Sequence, residues 1–350
     1  MSQVQAPADK RFRRAHVKPA RRRRWHGVAR RATLYGLLLA GALYAAYRGS
    51  EVVTQARMLQ IDRLVVTGNT RVPSALVLEA LDGLKGQNLV WTDLDEWRAA
   101  MRPNTKTCFL ETPTNPTLNV LDIAEIAKIA HGVGATLVVD NVFSTPLWQS
   151  PLSLGADCVV YSTTKHIDGQ GRCLGGVILA SEKFIADNVQ TFLRQTGPSM
   201  SPFNAWVMLK GMETLGVRVR QQTDTAAKVA NALDKHPKVS RLLYPGRPDH
   251  PQAKVIAKQM KGGSTLVAFE VAGGKAGAFK FQDALKLVRI SNNLGDAKSL
   301  ITHPATTTHQ RLKPEQRAEL GISDGMVRLS CGLEHPDDLI DDVLNALKAI

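Results

Sequence analysis

From about residue 102 onward the chain alternates between two textures. Short apolar runs rich in β-branched residues stand between longer stretches whose apolar residues recur three and four apart, which predicts strands and helices in turn. TCFLETP reads as a strand running into a Pro-rich loop, and TLVVDN, DCVVYSTTK and GGVILAS read as three more strands. Leu121 to His131 reads as a helix with Ile123, Ile126, Ala127 and Ala130 on one face. A long helical stretch is expected over about Phe203 to Leu233. Beyond it, VSRLLYPG, STLVAFEVAG, LVRISNNLG and MVRLSCGLE read as strands of a separate small α+β domain. The alternation predicts an α/β fold built on a parallel sheet.

The first hundred residues have a different pattern. Ala32 to Tyr47 contains no charged residue. It is short against the roughly 20 apolar residues of a spanning helix, but Arg30, Arg31 and Arg48 are placed to snorkel, and Trp25, Tyr44 and Tyr47 to sit at the interfaces. It has no polar face, which argues against a soluble amphipathic helix. A cleavable signal peptide, the rival, has a shorter charged region. The expectation is a single-pass inner-membrane helix over 32–48, with the tail 1–31 in the cytoplasm and the rest outside it. Residues 58–101 read as a small α/β unit: a strand from Leu59 to Thr67, a turn at Gly68-Asn69, a helix capped by Ser74, and a second short helix starting at Asp93 and ending near Ala100.

Charge and composition narrow the classes. The chain is 44% hydrophobic and 22% charged, which fits a globular protein. Its net charge of +14 invites a nucleic-acid reading, but residues 1–31 hold eleven Lys/Arg against Asp9 alone, leaving +4 for the remainder. The basic balance belongs to a tail, so no nucleic-acid partner is expected. The four cysteines, Cys108, Cys158, Cys173 and Cys331, form no CxxC pair, so buried thiols are expected in place of a zinc site or disulfide framework. His303 and His309, in THPATTTH, read as packing or hydrogen-bonding residues, and no metal site is expected.

Candidate chemistry gathers at strand ends, where open α/β sheets bind ligands. Asn115 follows the first strand, Asp140 ends the second, and Ser162-Thr163-Thr164-Lys165 follows the third. Alone, a strand-end Asp is more often a helix cap, and a Lys a solvated charge. Together and in order they match what an aldehyde cofactor with a phosphate and a pyridine ring requires. The lysine holds the aldehyde as an imine, the acid keeps the ring nitrogen protonated, and hydroxyls with backbone N–H groups receive the phosphate. The 25 residues from Asp140 to Lys165 make one crossover between neighbouring strands.

ETPTNPT, VVDNVFSTPLWQSPLSLGAD, STTKHIDGQGRCLGG, NNLGDAKSLITHPATTTH and ISDGMVRLSCGLEHPDDL resemble the Cys/Met metabolism PLP enzymes over about residues 102–350. DGQGRCLGG and FLRQTGPSMSPFNAW are most similar to those acting on O-succinylhomoserine. The resemblance implies a truncated PLP fold-type I large domain over 102–228, a C-terminal small domain over 229–350, and pyridoxal 5'-phosphate as cofactor. It implies Lys165 as the Schiff-base lysine, Asp140 at the ring nitrogen, Ser162 and Thr164 on the phosphate, and Asn115 beside the cofactor. Arg328 would clamp the substrate α-carboxylate, with Asn293 on the substrate side. It also implies a small amino-acid substrate, γ-replacement chemistry in methionine biosynthesis, a homotetramer and a cytoplasmic location. The family's first third has no counterpart in this reading, and no tyrosine between Arg48 and Val160 is available to stack on the ring. Residues 1–101, through IDRLVVTGNTRVPSALVLEAL and LKGQNLVWTDLDEWRAAM, resemble the start of FtsQ/DivIB cell-division proteins, a membrane helix followed by a POTRA unit that binds partner proteins. The expectation is a chimera joined at Met101/Arg102, with an enzyme part of weak or no activity and a division-machinery scaffold as the alternative function.

Overall fold

The structure, a computed structural model, describes residues 93–350. The expected tail, membrane helix and most of the POTRA-like unit lie outside these residues. Among the described residues, no helix is long and apolar enough to cross a membrane.

The described part opens with α1 (Leu94–Ala100), capped by Asp93, whose carboxylate accepts from the Asp95 N–H at 2.8 Å. This is the short helix expected from Asp93. Its Trp97, 5% exposed, packs into the same apolar cluster as the strands and helix that follow it. The first sheet has the order β1 (Thr107–Glu111), β2 (Thr136–Asp140), β3 (Cys158–Ser162), β4 (Gly176–Ala180). The first three strands are parallel and β4 runs antiparallel to β3. Between β1 and β2 lies α2 (Ile123–Gly132), capped by Asp122, which accepts from the Glu125 N–H at 3.1 Å. Ile123, Ile126, Ala127 and Ala130 are buried, as their spacing predicts, against Cys108, Leu110, Leu137 and Val139 of the sheet. A buried Ile of this kind contributes about 1.5–3 kcal/mol.

The expected long helix is two. α3 (Pro202–Glu213) is capped by Ser201 and ends at Thr214, from which α4 (Leu215–Leu233) departs. α4 spans two cores: Leu215 and Val219 join the first sheet's cluster, while Ala226, Val229, Ala230 and Leu233 join the second. The residue 228/229 boundary therefore falls inside a continuous helix.

The second sheet is built from β5 (Val239–Leu243), β6 (Leu266–Val271), β7 (Arg289–Ile290), β8 (Leu300–Thr302) and β9 (Met326–Ser330), in the order β5-β6-β9-β8-β7. β8 pairs antiparallel with β9 and parallel with β7. LVRISNNLG forms only the two-residue β7, and β8 lies in a stretch not read as a strand. One face of this sheet packs on α4 and two later helices through Val267, Phe269, Phe281, Val327, Leu329, Leu339 and Val343. The other face, through Leu266, Ala268 and Met326, meets Leu118, Val142 and Phe143 from the loops that leave β1 and β2. That second contact closes the small sheet over the C-terminal ends of the first one.

Candidate active site

The parallel register places the strand-end residues. Glu111 lies opposite Asp140, and Asp140 opposite Val160. Paired residues of a ladder project to the same side, and side chains alternate along a strand. Glu111, Asp140 and Ser162, two residues beyond Val160, therefore share one face. It is the face opposite the buried Leu110, Val139 and Tyr161.

Lys165 follows β3 in a tight turn. Its N–H donates to Ser162 O at 3.3 Å, and its own carbonyl accepts from Gly169 N at 2.8 Å. The Lys165 ammonium Nζ donates to Asn293 Oδ1 at 2.6 Å. Burial, then the charge of Arg328, hold this amine below the usual lysine range, which favours its neutral form. Thr164 Oγ1 accepts from Gly175 N at 3.1 Å, which fixes the turn against β4. The neighbouring Thr163 hydroxyl is buried and has no hydrogen-bond partner. The loop after the lysine is set by Asp168, which accepts from Arg172 Nε at 2.8 Å and from Cys173 N at 3.2 Å.

Arg328 comes from β9. Val327 and Leu329 face the helices, so alternation turns Arg328 toward the first sheet with Met326. It is 2% exposed. Its Nη1 donates to Asn115 Oδ1 at 2.6 Å, its Nη2 to Asn292 O at 3.1 Å, and its Nε has no partner. Burial pushes the guanidinium down to about 10, against the pull of Glu111. Asn292 and Asn293 are consecutive, so one loop holds both the Lys165 amine and the Arg328 guanidinium. Gly295 lets that loop approach: its φ is +71°, and an added Cβ would lie 2.6 Å from His166 N.

Asp140 accepts from Val142 N at 3.0 Å, and burial raises its carboxyl. Glu111 was not singled out from the sequence. It is pushed up to about 7 by burial and by Asp140, while the Asn115 N–H and Arg328 pull it back. Its only advance signal was a carboxylate at a strand's C-terminal end. Arg218 was also missed: a buried guanidinium donating to His166 O at 2.9 Å and to Gly211 O at 2.8 Å. Of the two histidines in THPATTTH, His303 bonds Asp324 O at 2.8 Å and Thr306 Oγ1 at 2.9 Å. His309 is lowered by burial and by Arg328. All four cysteines are free and buried.

Lysine, acids, hydroxyls and arginine thus converge at the ends of parallel strands. A profile described as Cys/Met metabolism PLP-dependent enzyme matches residues 68–348. The chain belongs to this family. The O-succinylhomoserine sulfhydrylase of Mycobacterium tuberculosis is 52% identical over 261 residues, which are 73% of this chain and 64% of the relative. The chain thus spans just under two thirds of that relative's length. The cystathionine gamma-lyase of Bacillus subtilis is 36% identical over 313 residues, 88% of this chain and 82% of the relative. Among solved structures, cystathionine gamma-lyase from Lactobacillus plantarum, complexed with L-serine, superposes with a TM-score of 0.73 at 32% identity. The match covers 79% of this chain and 73% of that one. The family's fold is PLP fold-type I, and its cofactor is pyridoxal 5'-phosphate. The family match crosses the junction expected at Met101/Arg102 and reaches back to residue 68, into the stretch read as POTRA-like.

The residues fit that cofactor. Lys165 is depressed toward its nucleophilic form, Asp140 lies on the same open face as Ser162, and the buried hydroxyl of Thr163 and the Nε of Arg328 still lack partners.

Proposed function

We propose that this chain carries out PLP-dependent γ-replacement on an O-acylated homoserine, in methionine biosynthesis: O-succinylhomoserine plus sulfide gives homocysteine plus succinate. The observation carrying the reading is the Asn292-Asn293 loop, which tethers the Lys165 amine and the Arg328 guanidinium side by side. An amino-acid substrate needs a base at Cα and a cation for its carboxylate, both within one site. The 52% identity to a sulfhydrylase favours this substrate.

The roles divide as follows. Bound PLP supplies the electron sink for the pair left at Cα. Lys165 Nζ takes the Cα proton, and its lowered basicity keeps enough neutral amine for the task. Arg328 receives the α-carboxylate in a two-pronged contact, releasing Asn115 Oδ1. Asn293 Oδ1 steers the amine between Cα and the neighbouring carbons. Asp140 holds the ring nitrogen's proton. Ser162 and Thr164 receive the phosphate, and Asn115 lies beside the ring. The family resemblance supports a cytoplasmic homotetramer for this enzyme part.

The test is incubation of the full chain with PLP and O-succinylhomoserine, with and without sulfide. The expected result is a visible absorbance band, lost in Lys165→Ala, and sulfide-dependent homocysteine. Production of 2-oxobutanoate alone would overturn replacement in favour of the γ-elimination suggested by the cystathionine gamma-lyase relative. The uncharged run 32–47 behind a basic tail supports a second reading, an FtsQ-type membrane anchor. Alkali-resistant pelleting with membranes checks it, and a freely soluble full chain would refute it. The family match across residue 101 argues against two unrelated halves meeting there.

A further inference from the structure

Glu111 is a half-buried acid to which the chemistry above gives no task. It ends β1 directly opposite Asp140, so two carboxyls stand side by side at the sheet's edge. Its Oε2 accepts from Asn115 N at 3.3 Å. The same residue, through Oδ1, holds Arg328 Nη1 at 2.6 Å. One asparagine therefore bridges this carboxyl and the guanidinium.

We propose that Glu111 is a positioning residue that trades a proton against the substrate carboxylate: ionised while Arg328 is free, neutral once Arg328 is occupied. This rests on the reading of Arg328 as the carboxylate clamp. The groups facing Glu111 are Asp140 from β2, Arg328 from β9 and the Asn115 N–H from the loop after β1. Lys165 and His309, both lowered by burial and then by Arg328, complete the charged surroundings.

Two adjacent half-buried carboxyls resist joint ionisation, and Asp140 must stay ionised to hold the ring nitrogen. Against burial and Asp140, two donors draw the Glu111 proton off: the Asn115 N–H first, then the guanidinium of Arg328, whose pull an anion can cancel. A substrate carboxylate on Arg328 neutralises that pull and adds a third anion. Glu111 then takes a proton from solvent, and Arg328 is freed from competition by its own resident acid. The bound state holds the extra proton, so carboxylate affinity falls as pH rises through the Glu111 titration.

Three measurements on the full chain test this. Infrared spectroscopy of wild type without ligand should show a protonated-carboxyl C=O band that titrates near neutral pH and is absent in Glu111→Gln. Calorimetry with L-homoserine, an amino acid lacking the leaving group, run at pH 7 in buffers of different ionisation enthalpy, should show proton uptake in wild type. Glu111→Gln should lose that uptake and Glu111→Asp should recover it. With O-succinylhomoserine, KM should rise about three- to tenfold from pH 6 to 8 in wild type and stay flat in Glu111→Gln, since one unit of pKa change is tenfold. A band that survives Glu111→Gln, or equal proton uptake in both proteins, overturns the proposal alone. If Arg328→Lys leaves L-homoserine binding unchanged, the clamp reading falls and this proposal falls with it.

Discussion

Arg328 is among the largest fully buried side chains of the described residues, and it is held by two acceptors with a third donor left over. A buried guanidinium is costly unless its donors are used, so its retention on β9 marks a place where an anion is wanted. Arg328→Lys keeps the charge but loses the planar fork. It is expected to weaken binding of amino-acid carboxylates by roughly 10–100-fold, matching the ~1.5–3 kcal/mol of a charged hydrogen bond. The check is a KM increase exceeding any fall in kcat. At this scale much of the candidate site was legible. Lys165, Asp140, Ser162 and Thr164 sit in one ordered series at strand ends, and chain order survives folding. Glu111 was not legible, because a strand-end acid acquires meaning only from what lies opposite it. The Asn115–Arg328 contact joins residues 213 positions apart, and no local pattern announces it.

At the scale of elements, the break between α3 and α4 decides how the lysine turn is held. Thr214 interrupts what the sequence reads as one helix, and its Oγ1 accepts from Arg218 Nε at 3.0 Å. Arg218, one turn into α4, then satisfies the carbonyls of His166, Ile167 and Gly211. Arg218→Lys offers three tetrahedral donors where a planar fork is required, leaving buried acceptors unpaired at ~1–3 kcal/mol each. The expected outcome is a clear drop in thermal midpoint with a change in the visible spectrum of the PLP-loaded chain, because the Lys165 turn loosens. An unchanged midpoint and spectrum would show that the turn holds itself. The helix itself was predictable from its apolar spacing. Its interruption was not, because the carbonyls that Arg218 meets at the break come partly from the lysine turn, about fifty residues earlier in the chain.

At the scale of the molecule, buried polar contacts fix how the two sheets meet. His166 Nε2 bonds Thr265 Oγ1 at 2.7 Å, Gln222 donates to Asp296 O at 2.7 Å, and Ala297 N donates to Gly169 O at 2.7 Å. Burial, with Arg218 and Lys165 nearby, pushes His166 from 6.5 down to about 3, so it is neutral in the fold. A depressed group adds stability above its unfolded value and loses it as pH falls toward its folded value. The chain should therefore lose stability between about pH 6.5 and 3 partly through His166. His166→Gln should flatten that part of the curve in thermal melts taken across this range. A wild-type slope unchanged by the substitution would assign the loss to other groups. Periodicity and turn chemistry by themselves determined most of the strands, the amphipathic helices and the order of chemical groups along the chain, because these depend on neighbours a few residues apart. Only the tertiary structure decided that β9 turns Arg328 inward, that Glu111 stands against Asp140, and that one asparagine loop grips both amine and guanidinium. Those contacts come from closing one sheet over the ends of another, and that closure is driven by burying Leu118, Val142, Phe143 and Met326 together rather than by any local preference.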